Sequence, residues 1–97
     1  MTIAAVTYRY APNSDAARDD LRPAHVDFLQ GLFDAGNLRV SGPTGSGDTA
    51  GALLIVEADD YESAVALLDG DPFFTAGLVE RTTTDWRTYF GTERVAR

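Results

Sequence analysis

The chain has 97 residues, a net charge of −7, 44% hydrophobic residues, one histidine and no cysteine. This length accommodates one domain over residues 1–97, and the acidic balance argues against nucleic acid or an anionic membrane surface as a partner. Without cysteine, thiol catalysis, disulfides and zinc–thiolate sites are excluded, and one histidine rules out a multi-histidine metal site within one chain. No apolar run reaches the ~20 residues of a membrane-spanning helix and no signal-peptide pattern opens the chain, so we expect a cytoplasmic protein.

The first half of the chain predicts a strand, a helix and a second strand. Residues 2–10 are rich in β-branched and aromatic side chains, which favours a strand. A short helix over Asp15–Asp20 is followed by a main helix over Pro23–Ala35, because proline is tolerated at the start of a helix and poorly inside one. Gly36 should end the main helix in a left-handed conformation, and residues 37–42 read as the second strand.

The second half repeats this alternation. The glycine-rich residues 43–51 predict a loop, and the apolar residues 51–58 predict a third strand. A second helix is expected over about residues 60–69. The segment 70–77 is interrupted by glycine and proline and is expected to be a connection. The alternating, threonine-rich residues 78–90 predict a long final strand.

The order β-α-β-β-α-β predicts an α+β, ferredoxin-like fold: a four-stranded antiparallel sheet with helices on one face. The other face of such a sheet is bare, and strand 51–58 is apolar on both faces. Two chains pressed sheet to sheet would cover it, so we expect a homodimer of the dimeric α+β barrel type. The last seven residues are expected to be frayed.

His25 lies on the apolar stripe of the main helix. An imidazole titrates near pH 6.5, so it can accept or deliver a proton at neutral pH. The alternative is a partly buried histidine that bonds to a backbone carbonyl. The stripe consists of His25, Phe28, Leu29, Leu32 and Phe33.

Two stretches together resemble the YCII-related family of dimeric α+β barrel proteins. They are "RPAHVDFLQGLFDAGNLRVSGP" and "EADDYESAVALLDGDPFFTAGLVERTTTDWR". The family pattern has Arg and His on the first helix, a Gly-x-Leu turn, a Ser/Ala-Gly-Pro strand end, and Asp-Pro-Phe followed by Ala-Gly. The resemblance spans about residues 3–90, and its specificity comes from the ordered set of motifs, since none is strong alone. The loop after Gly42-Pro43 departs from the family in being short and without bulky side chains, so no substrate class carries over.

The resemblance implies a catalytic pair formed by His25 and Asp71. A carboxylate bonded to one ring nitrogen fixes the tautomer and raises the basicity of the other nitrogen. Asp71 precedes Pro72, however, and is equally suited to capping a helix. It could serve both roles only if its second oxygen is free.

Five further residues are candidates for substrate binding. Arg22 lies one turn before His25 and could hold a substrate carboxylate, or could pair with Asp19 or Asp20 instead. Ser41 could donate a hydrogen bond; as a nucleophile it would depend on His25. The sequence Gly42-Pro43 ends a strand and also sets a turn, and Phe73 is a candidate wall of an apolar pocket.

Three functions remain open. The leading hypothesis is a small lyase or isomerase without a cofactor or metal, in which His25 moves a proton on a small, aromatic-derived or enol-type molecule. Some relatives in the family carry out dehydrochlorination of aromatic ring-cleavage intermediates, whereas most have no assigned reaction. The alternatives are a ligand-binding or regulatory module without catalysis, and a cofactor-free monooxygenase acting on quinol-like substrates.

Overall fold

The structure, a computed structural model, describes residues 1–96 and confirms the predicted α+β, ferredoxin-like architecture. One antiparallel sheet has the strand order β2-β3-β1-β4, with β1 and β3 in the centre. The strands are β1 (Thr2–Tyr10), β2 (Leu38–Thr44), β3 (Gly51–Ala58) and β4 (Val79–Asp85). The helices are α1 (Asp15–Asp34), α2 (Tyr61–Ala66), α3 (Pro72–Thr75) and α4 (Thr92–Val95).

The core lies between the sheet and the helices. Alternate residues of β1 point to the same side of a strand, and Ala4, Val6 and Tyr8 are all buried on the side that the helices cover. Gly51 lets β3 start close to β1, because a Cβ atom there would lie 1.9 Å from the carbonyl oxygen of Tyr8. The central strand thus presents Tyr8 to the helix layer.

Helix α1 is continuous through Pro23, so the predicted break between a short and a main helix is wrong. Proline removes one backbone hydrogen bond, to the carbonyl of Asp19, and crowds that carbonyl. The apolar side chains on both sides of this point, Leu21 and Phe28, pack against the core and keep the two halves in line. The predicted end of the helix is confirmed, since Gly36 has a left-handed φ of 87°.

Strand β4 is shorter than predicted. It ends at Asp85 because its partner β1 begins only two residues before Ala4, with which Asp85 pairs. The Trp86 N–H then donates to the Ile3 carbonyl at 2.9 Å. With no strand left to pair with, residues 86–90 are not a strand.

Three smaller boundaries also differ. Strand β2 continues beyond residue 42 to Thr44, because it stays paired with β3 as far as Gly51. The second helix ends at Ala66 and is followed by a turn instead of reaching residue 69. Residues 92–95, expected to be frayed, form α4; Arg97 lies outside the described residues.

The face of the sheet away from the helices is partly covered. Val40 and Leu53 on this face are 50% and 41% exposed, whereas Ile55 is buried. The C-terminal segment starts beside β1, at Trp86, and reaches β2, where Arg39 Nε donates to the Val95 carbonyl at 2.6 Å. These contacts do not show what covers the rest of this face, so the homodimer remains a prediction.

No helix within residues 1–96 is long and apolar enough to cross a membrane.

Candidate functional site

His25 and Asp71, 46 residues apart in sequence, are in contact. The fold places α1 against α3, and His25 Nδ1 lies 2.7 Å from Asp71 Oδ1. The imidazole also stacks on the Phe73 ring, with 3.9 Å between centroids and 4° between planes. Because a carboxylate accepts hydrogen bonds, Nδ1 carries a hydrogen, and in the neutral imidazole the lone pair therefore lies on Nε2. No residue in the described part of the chain bonds to Nε2.

Asp71 is completely buried and is surrounded by donors. Its Oδ1 accepts from His25 and from the Phe73 N–H at 3.1 Å, which makes Asp71 the cap of α3 as expected. Its Oδ2 accepts from the Tyr8 hydroxyl at 2.8 Å. The second oxygen is therefore occupied, and a single oxygen both caps the helix and contacts His25. Three donors satisfy a buried carboxylate that would otherwise be costly.

The sequence pattern did not indicate that Tyr8 belongs to this site. Burial raises its pKa far above the ordinary value of a tyrosine, and the adjacent charge of Asp71 raises it further. The hydroxyl is therefore protonated and donates. The alternation of β1 already placed Tyr8 on the helix side with Ala4 and Val6, and a buried tyrosine hydroxyl needs an acceptor. Those two signals indicate a polar partner, although only the fold identifies Asp71.

A cleft of about 270 Å³ lies over the His25–Phe73 stack, between α1 and the β2–β3 edge of the sheet. It is bordered by every residue expected to bind substrate, and Asp71 lies beneath its floor. The predicted residues at the cleft are Arg22, His25, Ser41, Gly42, Pro43 and Phe73. Its apolar lining, which the sequence did not single out, comes from Tyr10, Val26, Leu29, Ala52 and Leu54.

Arg22 and Ser41 occupy the polar rim of the cleft. The Arg22 guanidinium pairs with Asp19 and remains about half exposed, so both interpretations of this residue keep support. Ser41 pairs with Leu54 across β2 and β3, which turns its side chain to the helix side of the sheet. Its hydroxyl makes no hydrogen bond with residues 1–96. Both groups are placed to contact a polar substituent of a bound molecule.

A larger, open cleft of about 820 Å³ lies beyond Tyr10 and holds none of the predicted site residues. Its charged side chains have mixed signs, and Arg18 there lies over the Tyr10 ring at 3.9 Å and pairs with Asp15. The smaller cleft is the candidate site because it alone contains the imidazole. Within residues 1–96, no three acidic or histidine side chains converge as metal ligands would.

Solved structures show the same fold. The 5-chloro-2-hydroxyhydroquinone dehydrochlorinase TftG of Burkholderia phenoliruptrix AC1100, in complex with 2,5-dihydroxybenzoquinone, superposes with a TM-score of 0.76 and 28% identity. That match covers 90% of this chain and 95% of TftG. An antibiotic biosynthesis monooxygenase covers 92% of this chain and 99% of its own, with a TM-score of 0.56 and 12% identity, and shows the fold alone.

Sequence relatives point to one family. Protein YciI of Escherichia coli O6:H1 is 35% identical over 74 residues, which cover 68% of this chain and 76% of YciI. Protein YciI of Shigella flexneri has the same identity and coverage. The model of the YCII-related domain matches residues 1–87, nearly the whole sheet-and-helix unit described above. The chain therefore belongs to the YCII-related family, as the resemblance of its motifs predicted.

Proposed function

We propose that this protein is a small enzyme of the lyase or isomerase type that transfers a proton on a small ring compound. His25 is the acid–base group, and Asp71 orients it. The observation that carries this proposal is the 2.7 Å contact between His25 Nδ1 and Asp71 Oδ1, with the other ring nitrogen left free beside a cleft. A carboxylate bonded to one ring nitrogen raises the basicity of the other, which a proton-transferring histidine requires.

The chemistry needs no group beyond the imidazole and the substrate. Nε2 accepts a proton from an O–H or an acidic C–H of the substrate, and the imidazolium is stabilised by Asp71. In an isomerisation, the same nitrogen returns that proton to another atom. In an elimination from a chlorinated ring, that proton is first returned to the carbon that bears chlorine, which makes the carbon tetrahedral. A second O–H bond then breaks, its electron pair forms a C=O bond while a ring π bond shifts, chloride departs with its own bonding pair, and the second proton passes to water.

The cleft suits one substituted ring. A volume of about 270 Å³ accommodates a six-membered ring with a few substituents, and the lining is mostly apolar. Phe73 and Pro43 would contact the faces of the ring, and Ser41 would donate to a substituent. Arg22 would exchange Asp19 for an anionic oxygen of the substrate.

The substrate class follows from TftG, which is named as a dehydrochlorinase of 5-chloro-2-hydroxyhydroquinone. The likeness to TftG extends over 90% of this chain at 28% identity, which supports a hydroxylated aromatic or quinone-type substrate for this protein too. A hydroxyl on such a ring is acidic enough to give its proton to an imidazole. We also propose that the protein forms a homodimer through the open face of the sheet.

The test uses 5-chloro-2-hydroxyhydroquinone as the probe and chloride release as the signal. We expect release by the parent and a loss of at least ~10²-fold in His25→Ala, the usual contribution of a positioned acid–base group. Gln30→Ala is the control: it is exposed on the same helix and bonds only to Asp34. It should release chloride as the parent does.

Two results contradict an enzyme of this kind. Undiminished release by a folded His25→Ala protein removes His25 from the reaction. Binding of 2,5-dihydroxybenzoquinone at the cleft, followed by NMR of the His25 ring, without any turnover of the chlorinated probe would favour the ligand-binding module instead.

A further inference from the structure

The buried hydroxyl of Tyr8 has no role in the chemistry described so far. We propose that Tyr8 is a positioning residue for the His25–Asp71 pair: its hydroxyl fixes the carboxylate and sets how firmly His25 holds a proton. The catalytic meaning of this proposal rests on the proposed function. The structural claim, that Tyr8 governs protonation of His25 through Asp71, stands independently of any reaction.

The geometry divides the donors between the two carboxylate oxygens. Oδ1 accepts hydrogen bonds from His25 and from the Phe73 N–H, and Oδ2 accepts one from the Tyr8 hydroxyl at 2.8 Å. Rotation of the carboxyl group would break contacts on both oxygens at once. In the described residues, Tyr8 is the one donor recorded on Oδ2, and Asp71 is completely buried, so loss of the hydroxyl leaves a buried oxygen unsatisfied.

Tyr8 is a rigid support for such a contact. It lies on the central strand β1, paired with Ala52 on one side and Arg81 on the other, and only 1% of it is exposed. The other charges near it are those of Arg81 and Asp69, which lie 2.9 Å apart and act on the pKa of Tyr8 in opposite directions, both less strongly than Asp71. Asp71 is therefore the charge to which the hydroxyl responds.

The hydroxyl affects His25 through the charge of the carboxylate. A donor on Oδ2 draws negative charge away from the side that faces the imidazole. Without it, the buried carboxylate gains more from a cationic neighbour, so His25 should keep its proton to higher pH. The hydroxyl thus holds the imidazole in the neutral form that a general base requires. Arg22 lines the same cleft as His25 and is already paired with Asp19.

The experiment is an NMR pH titration of the His25 ring protons in Tyr8→Phe, unambiguous because the chain has one histidine. We expect the titration midpoint to rise by about half a pH unit or more. Tyr61→Phe is the matched control: its hydroxyl contacts Thr83 Oγ1 at 2.5 Å on the same side of the sheet, away from the pair. That variant should titrate as the parent does. A midpoint in Tyr8→Phe that stays at the parent value, or falls, overturns the proposal.

A second measurement covers the case in which Tyr8→Phe does not fold. Fluorotyrosine incorporated at all four tyrosines makes each hydroxyl a stronger donor, and among residues 1–96 Tyr8 alone donates to Asp71. The His25 midpoint should then fall below that of the unlabelled protein; an unchanged midpoint contradicts the proposal.

Turnover separates this inference from the proposed function. If chloride is released, the acidic limb of the pH–rate profile, where protonation of His25 removes the base, should move to higher pH in Tyr8→Phe by the same amount as the NMR midpoint. If no chloride is released by any variant, the proposed function fails while the midpoint shift still decides the role of Tyr8.

Discussion

Because of Tyr8, the stability of the fold should decrease as the pH becomes alkaline. Burial and the charge of Asp71 raise its pKa in the folded protein, whereas in the unfolded chain it titrates at its ordinary value of about 10. The folded state therefore binds more protons above that pH. The stabilisation is fully present below pH ~10 and is lost as the pH rises beyond it, at up to about 1.4 kcal/mol per pH unit.

Urea unfolding between about pH 9 and 11, on either side of the ordinary tyrosine pKa, measures this dependence. The free energy of unfolding of the parent should fall more steeply than that of Tyr8→Phe. Tyr61→Phe keeps Tyr8 and should retain the steep slope. Equal slopes in all three proteins would show that Tyr8 ionises in the folded state as easily as in the unfolded chain.

At the residue level, the sequence predicts the members of the site better than their contacts. His25 was found by its place on a helix, and the position of Asp71 beside Pro72 was enough to predict a cap. The contact between them depends on α1 and α3 packing together, which no local pattern contains. Tyr8 was missed because alternation predicts burial without naming the group that the buried hydroxyl meets.

At the level of elements, α1 shows where local rules give way to packing. Pro23 should break a helix, but the helix continues because apolar residues on both sides of it bind the same sheet. The boundaries of β4 also depend on a partner, since it ends where β1 ends. Strand β3 and the cap at Gly36, by contrast, were predicted correctly because composition and backbone conformation fix them locally.

Replacing Pro23 by alanine should stabilise the protein. The substitution restores the backbone hydrogen bond to the Asp19 carbonyl and removes the clash, a gain of about 1–3 kcal/mol in unfolding free energy after the lost rigidity of the unfolded chain is subtracted. Gly31→Ala on the same helix calibrates helix propensity alone, since an added Cβ there meets no atom within 4 Å. Thermal unfolding should show a larger gain for Pro23→Ala; a lower melting temperature would mean that proline shapes the packing of α1.

At the scale of the whole molecule, the open sheet face argues for a second copy. Val40 on β2 and Leu53 on β3 remain about half exposed on the face of the sheet away from the helices. Further large apolar side chains, Trp86, Tyr89 and Phe90, are exposed along the C-terminal segment. A chain of 10.4 kDa with this much exposed apolar surface would gain stability from the proposed pairing.

Leu53→Glu should abolish the dimer. A charge at the centre of a sheet-to-sheet interface would be buried without a partner, so the mass in solution should fall to the 10.4 kDa of one chain. Phe33→Glu is the matched control, because Phe33 is 56% exposed on α1, far from that face. Analytical ultracentrifugation at micromolar concentration measures both. A parent that already sediments as one chain would contradict the dimer itself.

In the proposed site, Asp71 acts on His25 as a charged partner, and an NMR titration of His25 in the parent and in Asp71→Asn tests that role. Asparagine keeps an oxygen to cap α3 but carries no charge. We expect the titration midpoint of His25 to fall clearly in Asp71→Asn, because the imidazolium loses the carboxylate that stabilises it. An unchanged midpoint would mean that Asp71 only caps the helix, and the His25–Asp71 pair would no longer explain how this protein moves a proton.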